Sequence, residues 1–155
     1  MFPPLAQRGN RCHHHAVSDN KRLSGIHVLV VDDNSDAREI FQSVITYMGA
    51  LVTVAVSAEI ALKITRHVRP DVMVVDLAMP RRDGAWLIER LRHIKPERGG
   101  DIPAVAVTAY DDDYRRADML ALGFHDYLVK PVGTEQLCQT IERLTILGPP
   151  VVPRR

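Results

Sequence analysis

Residues 26–33 read Ile26-His27-Val28-Leu29-Val30-Val31-Asp32-Asp33, an almost unbroken β-branched run that ends in two aspartates. Such a run suits a strand buried on both faces, the habit of a parallel sheet covered by helices. Downstream the period changes. Ala37, Ile40, Phe41, Val44, Ile45 and Met48 recur at helical spacing and define one apolar face, and Gly49 suits the C-terminal cap. Leu51 to Val56 predicts a second strand, placed at an edge by the polar Thr53.

The alternation continues to the far end of the chain. Ser57 caps a helix with Ala58, Ala61, Leu62, Thr65 and Val68 on one side. Val72–Val75 forms a third strand that ends in Asp76, and Leu87, Ile88, Leu91 and Ile94 mark a third helix. Ile102 to Val107 predicts a fourth strand, with Pro103 tolerable only at its start. Asp111, Asp112 and Asp113 suit the positive end of a fourth helix. Tyr127–Val129 is a short fifth strand, and the last helix starts near Thr134 and buries Leu137, Ile141 and Leu144.

Five β-α units between residues 26 and 147 predict a flavodoxin-like three-layer α/β/α sandwich. Its five-stranded parallel sheet has the order 2-1-3-4-5, with right-handed crossovers and a switch point between the first and third strands. The expected organisation is a flexible arm at 1–24, one domain at 25–147 and a tail at 148–155. With 155 residues, 46% of them hydrophobic, the chain has room for one ordinary domain.

A formal net charge of +1 argues against a bulk electrostatic binder of nucleic acid or membranes, and no apolar run is long enough for a membrane span. Cys12 and Cys138 suggest no disulfide framework, so a reducing cytoplasmic setting is expected. Cys12 with His13, His14 and His15 offers metal-binding chemistry, yet adjacent residues in an extended arm do not close a site around a metal. His27, His67, His93 and His125 lack ligand spacing, and Trp86, Met73 and Met79 read as packing. Cys138 reads as half-buried and inert. Arg81-Arg82 and Arg115-Arg116 are short basic pairs expected to be solvated.

The chemistry should lie where the strands end, because open α/β sheets place their sites at the carboxyl ends of strands. The first strand ends in Asp32 and Asp33, the third in Asp76, the fourth in Thr108 and the fifth in Lys130. In the expected strand order three carboxylates converge on the switch point. Two carboxylates ~5 Å apart repel by about 3 kcal/mol at an effective dielectric near 20. A hard divalent cation such as Mg²⁺ relieves that repulsion, and Lys130 adds a further positive charge. Asp32 and Asp33 could otherwise serve merely as a cap for the first helix. A carboxylate in such a setting can itself act as a nucleophile toward phosphorus, and Asp76, ending the central strand, is the best placed.

Taken together, Ile26–Asp33 (IHVLVVDD), Asp71–Gly84 (DVMVVDLAMPRRDG), Val105–Tyr110 (VAVTAY) and Tyr127–Pro131 (YLVKP) resemble the receiver domain of bacterial two-component response regulators. The resemblance implies that Asp76 accepts a phosphoryl group from a phosphohistidine on a sensor histidine kinase or a histidine phosphotransfer protein. It implies a Mg²⁺ site made by Asp33, Asp76 and the backbone carbonyl of Ala78, with Asp32 assisting through water. It also implies that Lys130 pairs with a phosphoryl oxygen, and that Thr108 and Tyr127 form a switch. Pro80 and Gly84 match the family's loop after the phosphoacceptor, and the Lys130–Pro131 bond is expected to be cis.

Ala78 and Tyr110 stand where the family tunes access of water to the acyl phosphate, so a modified dephosphorylation rate is expected, testable by phosphoprotein decay in Ala78→Asn. The implied output is the surface of the fourth helix, fifth strand and fifth helix, used for homodimerisation or effector binding. With only a short tail after residue 147, the expected form is a stand-alone regulator or the receiver of a hybrid kinase, without direct contact to nucleic acid or membrane. The main alternative is an enzyme, a Mg²⁺-dependent phosphohydrolase acting through an aspartyl-phosphate. Such phosphatases usually carry a second acid two residues after the nucleophile, where this chain has Ala78.

Overall fold

The computed structural model describes residues 21–109 and 116–146. The Cys12–His15 cluster, Tyr110, Asp111–Asp113, Arg115 and the 148–155 tail lie outside the described residues. Strands β1 (His27–Val31), β2 (Leu51–Ala55), β3 (Val72–Asp76), β4 (Ala104–Thr108) and β5 (Asp126–Val129) alternate with helices α1 (Ser35–Tyr47), α2 (Ala58–His67), α3 (Gly84–Arg92), α4 (Arg116–Leu122) and α5 (Thr134–Thr145). The strands form one parallel sheet of order β2-β1-β3-β4-β5, the expected topology.

Alternation along each strand sends side chains into two cores. Val28, Val30, Val72, Val74, Val105 and Val107 pack with Phe41 and Ile45 of α1 and Leu137 and Ile141 of α5. Leu29, Val31, Met73, Val75, Ala104 and Ala106 pack against Ala58 of α2, Leu87 and Ile88 of α3 and Met119 of α4. Side-chain caps fix the helix starts. Asn34 accepts a hydrogen bond from the Ala37 amide, Ser57 from Ile60 and Asp83 from Trp86. Gly49 follows α1 at φ 97°, the left-handed conformation that ends a helix.

Three expectations about packing are corrected. Ile40 belongs to the apolar stripe on paper, yet it is 63% exposed, because α1 faces the sheet along Phe41, Ile45 and Met48 and turns Ile40 sideways. Val68 is likewise 41% exposed, since it follows the last turn of α2. Cys138 is fully rather than half buried.

The packed body also begins ahead of residue 25. Leu23 is fully buried under α1 and α5, and its amide donates to the Met48 carbonyl at 2.9 Å. The neighbouring Arg22 reaches Glu135 at 2.8 Å and Glu142 at 2.5 Å, tying this segment to α5.

Candidate functional site

The register brings the expected side chains to one edge of the sheet. β1 lies between β2 and β3, so Asp32 and Asp33, which follow β1, stand beside Asp76 at the end of β3. One carboxylate oxygen from each of the three lies within 4.8 Å of the others. Because Asn34 supplies the side-chain cap of α1, the two aspartates are not consumed as helix caps. Asp32 instead accepts from the Asn34 amide at 2.9 Å through Oδ1, and the Arg38 guanidinium donates to its backbone carbonyl at 2.9 Å.

Lys130 completes the cluster from the other side. Its amide donates to the Thr108 carbonyl at 2.7 Å, which fixes the residue after β5 against the end of β4. Nζ then lies 3.5 Å from Asp32 Oδ2 and 3.7 Å from Asp76 Oδ1. The Lys130–Pro131 peptide is cis. Asp76 Oδ1 also accepts from the Ala78 amide at 3.3 Å, and Ala78 itself is exposed.

One ammonium does not balance three acids. Burial, and next the charge of Asp32, raise the Asp76 carboxyl above its ordinary value, while Lys130 and the Ala78 amide oppose the shift. Asp32 and Asp76 are both buried, and Asp33 is exposed. Among the described residues, Asp32 Oδ2 accepts no hydrogen bond although it is buried. A buried carboxylate oxygen left in this way is costly, and a hard cation or its bound water would satisfy it. The donor set is all oxygen, which suits Mg²⁺ and not a soft metal.

The two remaining expected residues share the other face of the sheet. Ala106 pairs with Tyr127 and Thr108 with Val129, so Thr108 and Tyr127 are diagonal neighbours on the α3–α4 side. Thr108 is buried and Tyr127 half-buried.

The sequence reading did not single out two further clusters. Arg92 donates to the carbonyls of Gly123 (2.9 Å), Gly100 (3.0 Å) and Ile102 (2.7 Å). Asp126, buried at the start of β5, pairs with Arg143 of α5 and lies 3.3 Å from Arg116 of α4. A buried-strand aspartate next to His125 was the one signal available for the second.

An oxygen-lined acidic pocket at the switch point of a doubly wound parallel sheet, with a lysine beside it, is the arrangement expected of a receiver-type signalling domain. Comparison with known proteins agrees: the profile of the response regulator receiver domain matches residues 28–142, and the chain belongs to that family. An uncharacterized 14.6 kDa protein from the sodA1 3′ region of Leptolyngbya boryana is 38% identical over 128 residues, covering 83% of this chain and 96% of that one. The probable transcriptional regulator ycf27 of Cyanidium caldarium is 34% identical over 125 residues, covering 81% of this chain and 47% of its own length. The response regulator MprA of Mycobacterium sp. (strain KMS) is 34% identical over 119 residues, with 77% and 50% covered. The chain thus spans about half the length of the ycf27 and MprA relatives.

Solved structures give the same fold. The receiver domain of the Francisella response regulator 1452 superposes with a TM-score of 0.71 at 28% identity, covering 79% of this chain and 98% of that one. The receiver domain of sensor histidine kinase PA1611 from Pseudomonas aeruginosa PAO1 superposes with a TM-score of 0.70 at 27% identity, covering 77% and 97%, and has a magnesium ion coordinated in its active site cleft. No helix among the described residues is long and apolar enough to cross a membrane.

Proposed function

We propose that the chain is a phosphoacceptor: Asp76 takes a phosphoryl group from the phosphohistidine of a sensor histidine kinase or a histidine phosphotransfer protein. The observation that carries this reading is the meeting of Asp32, Asp33, Asp76 and Lys130 in one pocket. A carboxylate oxygen of Asp76 attacks phosphorus, the P–N bond breaks, and its electron pair leaves with the donor imidazole, which takes up a proton. Lys130 Nζ, already 3.7 Å from Asp76 Oδ1, is placed to neutralise charge on the transferring group.

Asp33, Asp76 and the Ala78 carbonyl would hold Mg²⁺, with Asp32 acting through water. The ion supplies charge neutralisation for the incoming phosphoryl oxygens. Asp32 is positioned for its part by the Asn34 amide and the buried setting of Oδ2.

Once phosphorylated, the residue carries about −1.5 to −2 charge, and the Thr108 hydroxyl on the next strand would turn toward it. Movement of Thr108 would change the space open to Tyr127 on the same face of the sheet. The α4–β5–α5 surface would then shift between pre-existing arrangements and present a homodimer or effector interface. Turnover of a substrate as a phosphohydrolase is disfavoured by Ala78, which offers no general acid. A cytoplasmic setting suits such a relay.

Labelling with acetyl phosphate and Mg²⁺ tests the reading. Wild type should take up one phosphoryl group per chain and Asp76→Asn none. Undiminished labelling of Asp76→Asn, or sustained turnover of a phosphomonoester, would overturn it.

A further inference from the structure

The two helices on the β3 side of the α2–α3 layer carry an uneven charge. Between residues 58 and 98 there are nine Lys and Arg against six Asp and Glu, whereas the whole chain is nearly balanced. Most of those acids are engaged. Asp71 accepts from the His27 amide, Asp83 caps α3, Asp76 lies in the site and Glu59 pairs with Arg82 at 3.0 Å. Only Glu89 and Glu97 remain, both exposed. Opposite them, Lys63, Arg66, Arg81, Arg90, Lys95 and Arg98 are exposed, and among the described residues none of them pairs with a carboxylate.

These cations lie along the α2–α3 layer and the segment that follows α3. Lys63 and Arg66 stand one turn apart on α2, and Trp86 and Arg90 one turn apart on α3. Near the site, Arg82 bridges the helices: it pairs with Glu59 of α2 and lies over the Trp86 ring at 4.3 Å, with Arg90 at 5.2 Å. At the opposite end of the sheet, a cavity of about 650 Å³ opens between the ends of α2 and α3. Thr65, Arg66, Val68, Ile94, Glu97 and Arg98 line it. Its wall is mainly apolar, and its rim carries the guanidinium groups of Arg66, Arg98 and Arg69, the last paired with Asp101, beside the single carboxylate of Glu97.

We propose that this α2–α3 face docks an acidic segment of a protein partner that inserts an apolar side chain into the cavity. Clusters of arginine recognise acidic motifs through bidentate, charge-assisted hydrogen bonds, and arginine around a desolvated apolar pocket is the usual make-up of a binding hot spot. The exposed Val68 and the half-buried Ile94 give the anchor an apolar seat, which a phosphate backbone would not use. Trp86, the aromatic ring of this face, already carries guanidinium groups over it and is a poor platform for stacking bases. The cavity that takes the anchor lies at the end of the sheet away from the Asp76 pocket and apart from α4–β5–α5, so the proposal stands whether or not Asp76 is phosphorylated.

The test uses the full chain, isotopically labelled for NMR, titrated at low salt with a peptide of six acidic residues flanking one leucine. Shifts should concentrate on residues of α2, α3 and the segment 93–98 that follows α3. Arg66→Gln with Arg98→Gln should weaken binding by about fivefold or more, and replacing the peptide leucine by glycine should weaken it by about threefold. Gln42→Glu with Ser43→Glu on α1 changes the net charge equally and should leave affinity within about twofold. Equal weakening by both pairs, shifts centred on another face, or tighter binding of duplex DNA or anionic vesicles at the same ionic strength would overturn the proposal. The altered side chains are all exposed, and retained spectral dispersion reports that each variant is folded.

Discussion

Gly84 and the backbone of Asp76 are in contact: a Cβ built on Gly84 would stand 2.7 Å from the Asp76 carbonyl oxygen and 3.1 Å from Leu77 Cα. Both neighbours are backbone, so neither can swing aside. The Gly84 amide also donates to the Leu77 carbonyl at 3.2 Å, which folds the β3–α3 loop back onto the strand end that carries Asp76.

Gly84→Ala should therefore displace the Asp76–Leu77 peptide rather than merely crowd a side chain. The expected cost is about 1–3 kcal/mol of stability, with phosphorylation by acetyl phosphate slowed at least about tenfold because the carboxylate leaves its alignment. Urea denaturation and initial labelling rates measure the two effects. Wild-type behaviour on both would show that the loop relaxes freely.

The crowded carboxylates give a second expectation. In metal-free buffer, Asp76→Asn removes one of three mutually repelling charges while keeping the shape, and should stabilise the domain by on the order of 1 kcal/mol. Mg²⁺ at about tenfold its dissociation constant should stabilise wild type by about 1.4 kcal/mol and Asp76→Asn distinctly less. Thermal melts with and without Mg²⁺ read both effects, and a variant that melts lower than wild type without metal would contradict the crowding argument.

How much of this was legible in the sequence depends on whether a residue's partners leave a local trace. Asp32, Asp33, Asp76, Thr108 and Lys130 each end an apolar run, so topology alone brings them together. Leu23 left no trace, because a single apolar residue in a polar segment has no period to betray its burial. Ile40 misled for the opposite reason: it fits the helical period but sits at the margin of the stripe. Arg92 was invisible, since its partners are carbonyls of Gly100, Ile102 and Gly123, and carbonyls exist at every position. The α2–α3 charge asymmetry could be counted in the sequence. Its meaning required knowing which acids were already engaged as caps, pairs and site groups.

Arg92 joins the end of α3 to the start of β4 and to the turn after α4. Gly123, at φ 115°, leaves room for it, because a Cβ there would lie 2.9 Å from Arg92 Cγ. Arg92→Lys cannot reach three carbonyls in that fork and should cost about 2 kcal/mol. The initial rate of labelling at Asp76 should stay within about twofold of wild type, since the cluster lies at the other end of the strands. Denaturant midpoints and labelling rates separate the two, and an unchanged midpoint would deny Arg92 its role in tying α3 to α4.

His125 gives this end of the fold a pH dependence. Nδ1 accepts the Ala104 amide at 3.1 Å and faces Arg92, whose Nη2 is 3.4 Å away. Burial, and secondarily the Arg92 charge, push the imidazole down to about 4 from an ordinary value of 6.5. The unfolded chain thus takes up a proton near pH 6.5 that the folded chain refuses until about pH 4. This contribution is fully present above pH 6.5, falls as the pH drops through that window, and is constant again below about 4. Asn at this position offers an oxygen acceptor to the Ala104 amide and does not titrate. His125→Asn should consequently lose less stability than wild type between pH 7.5 and pH 4.5, conditions on the two sides of the unfolded-state midpoint. Urea midpoints at the two pH values give the difference, and equal losses in the two proteins would place the acid sensitivity elsewhere.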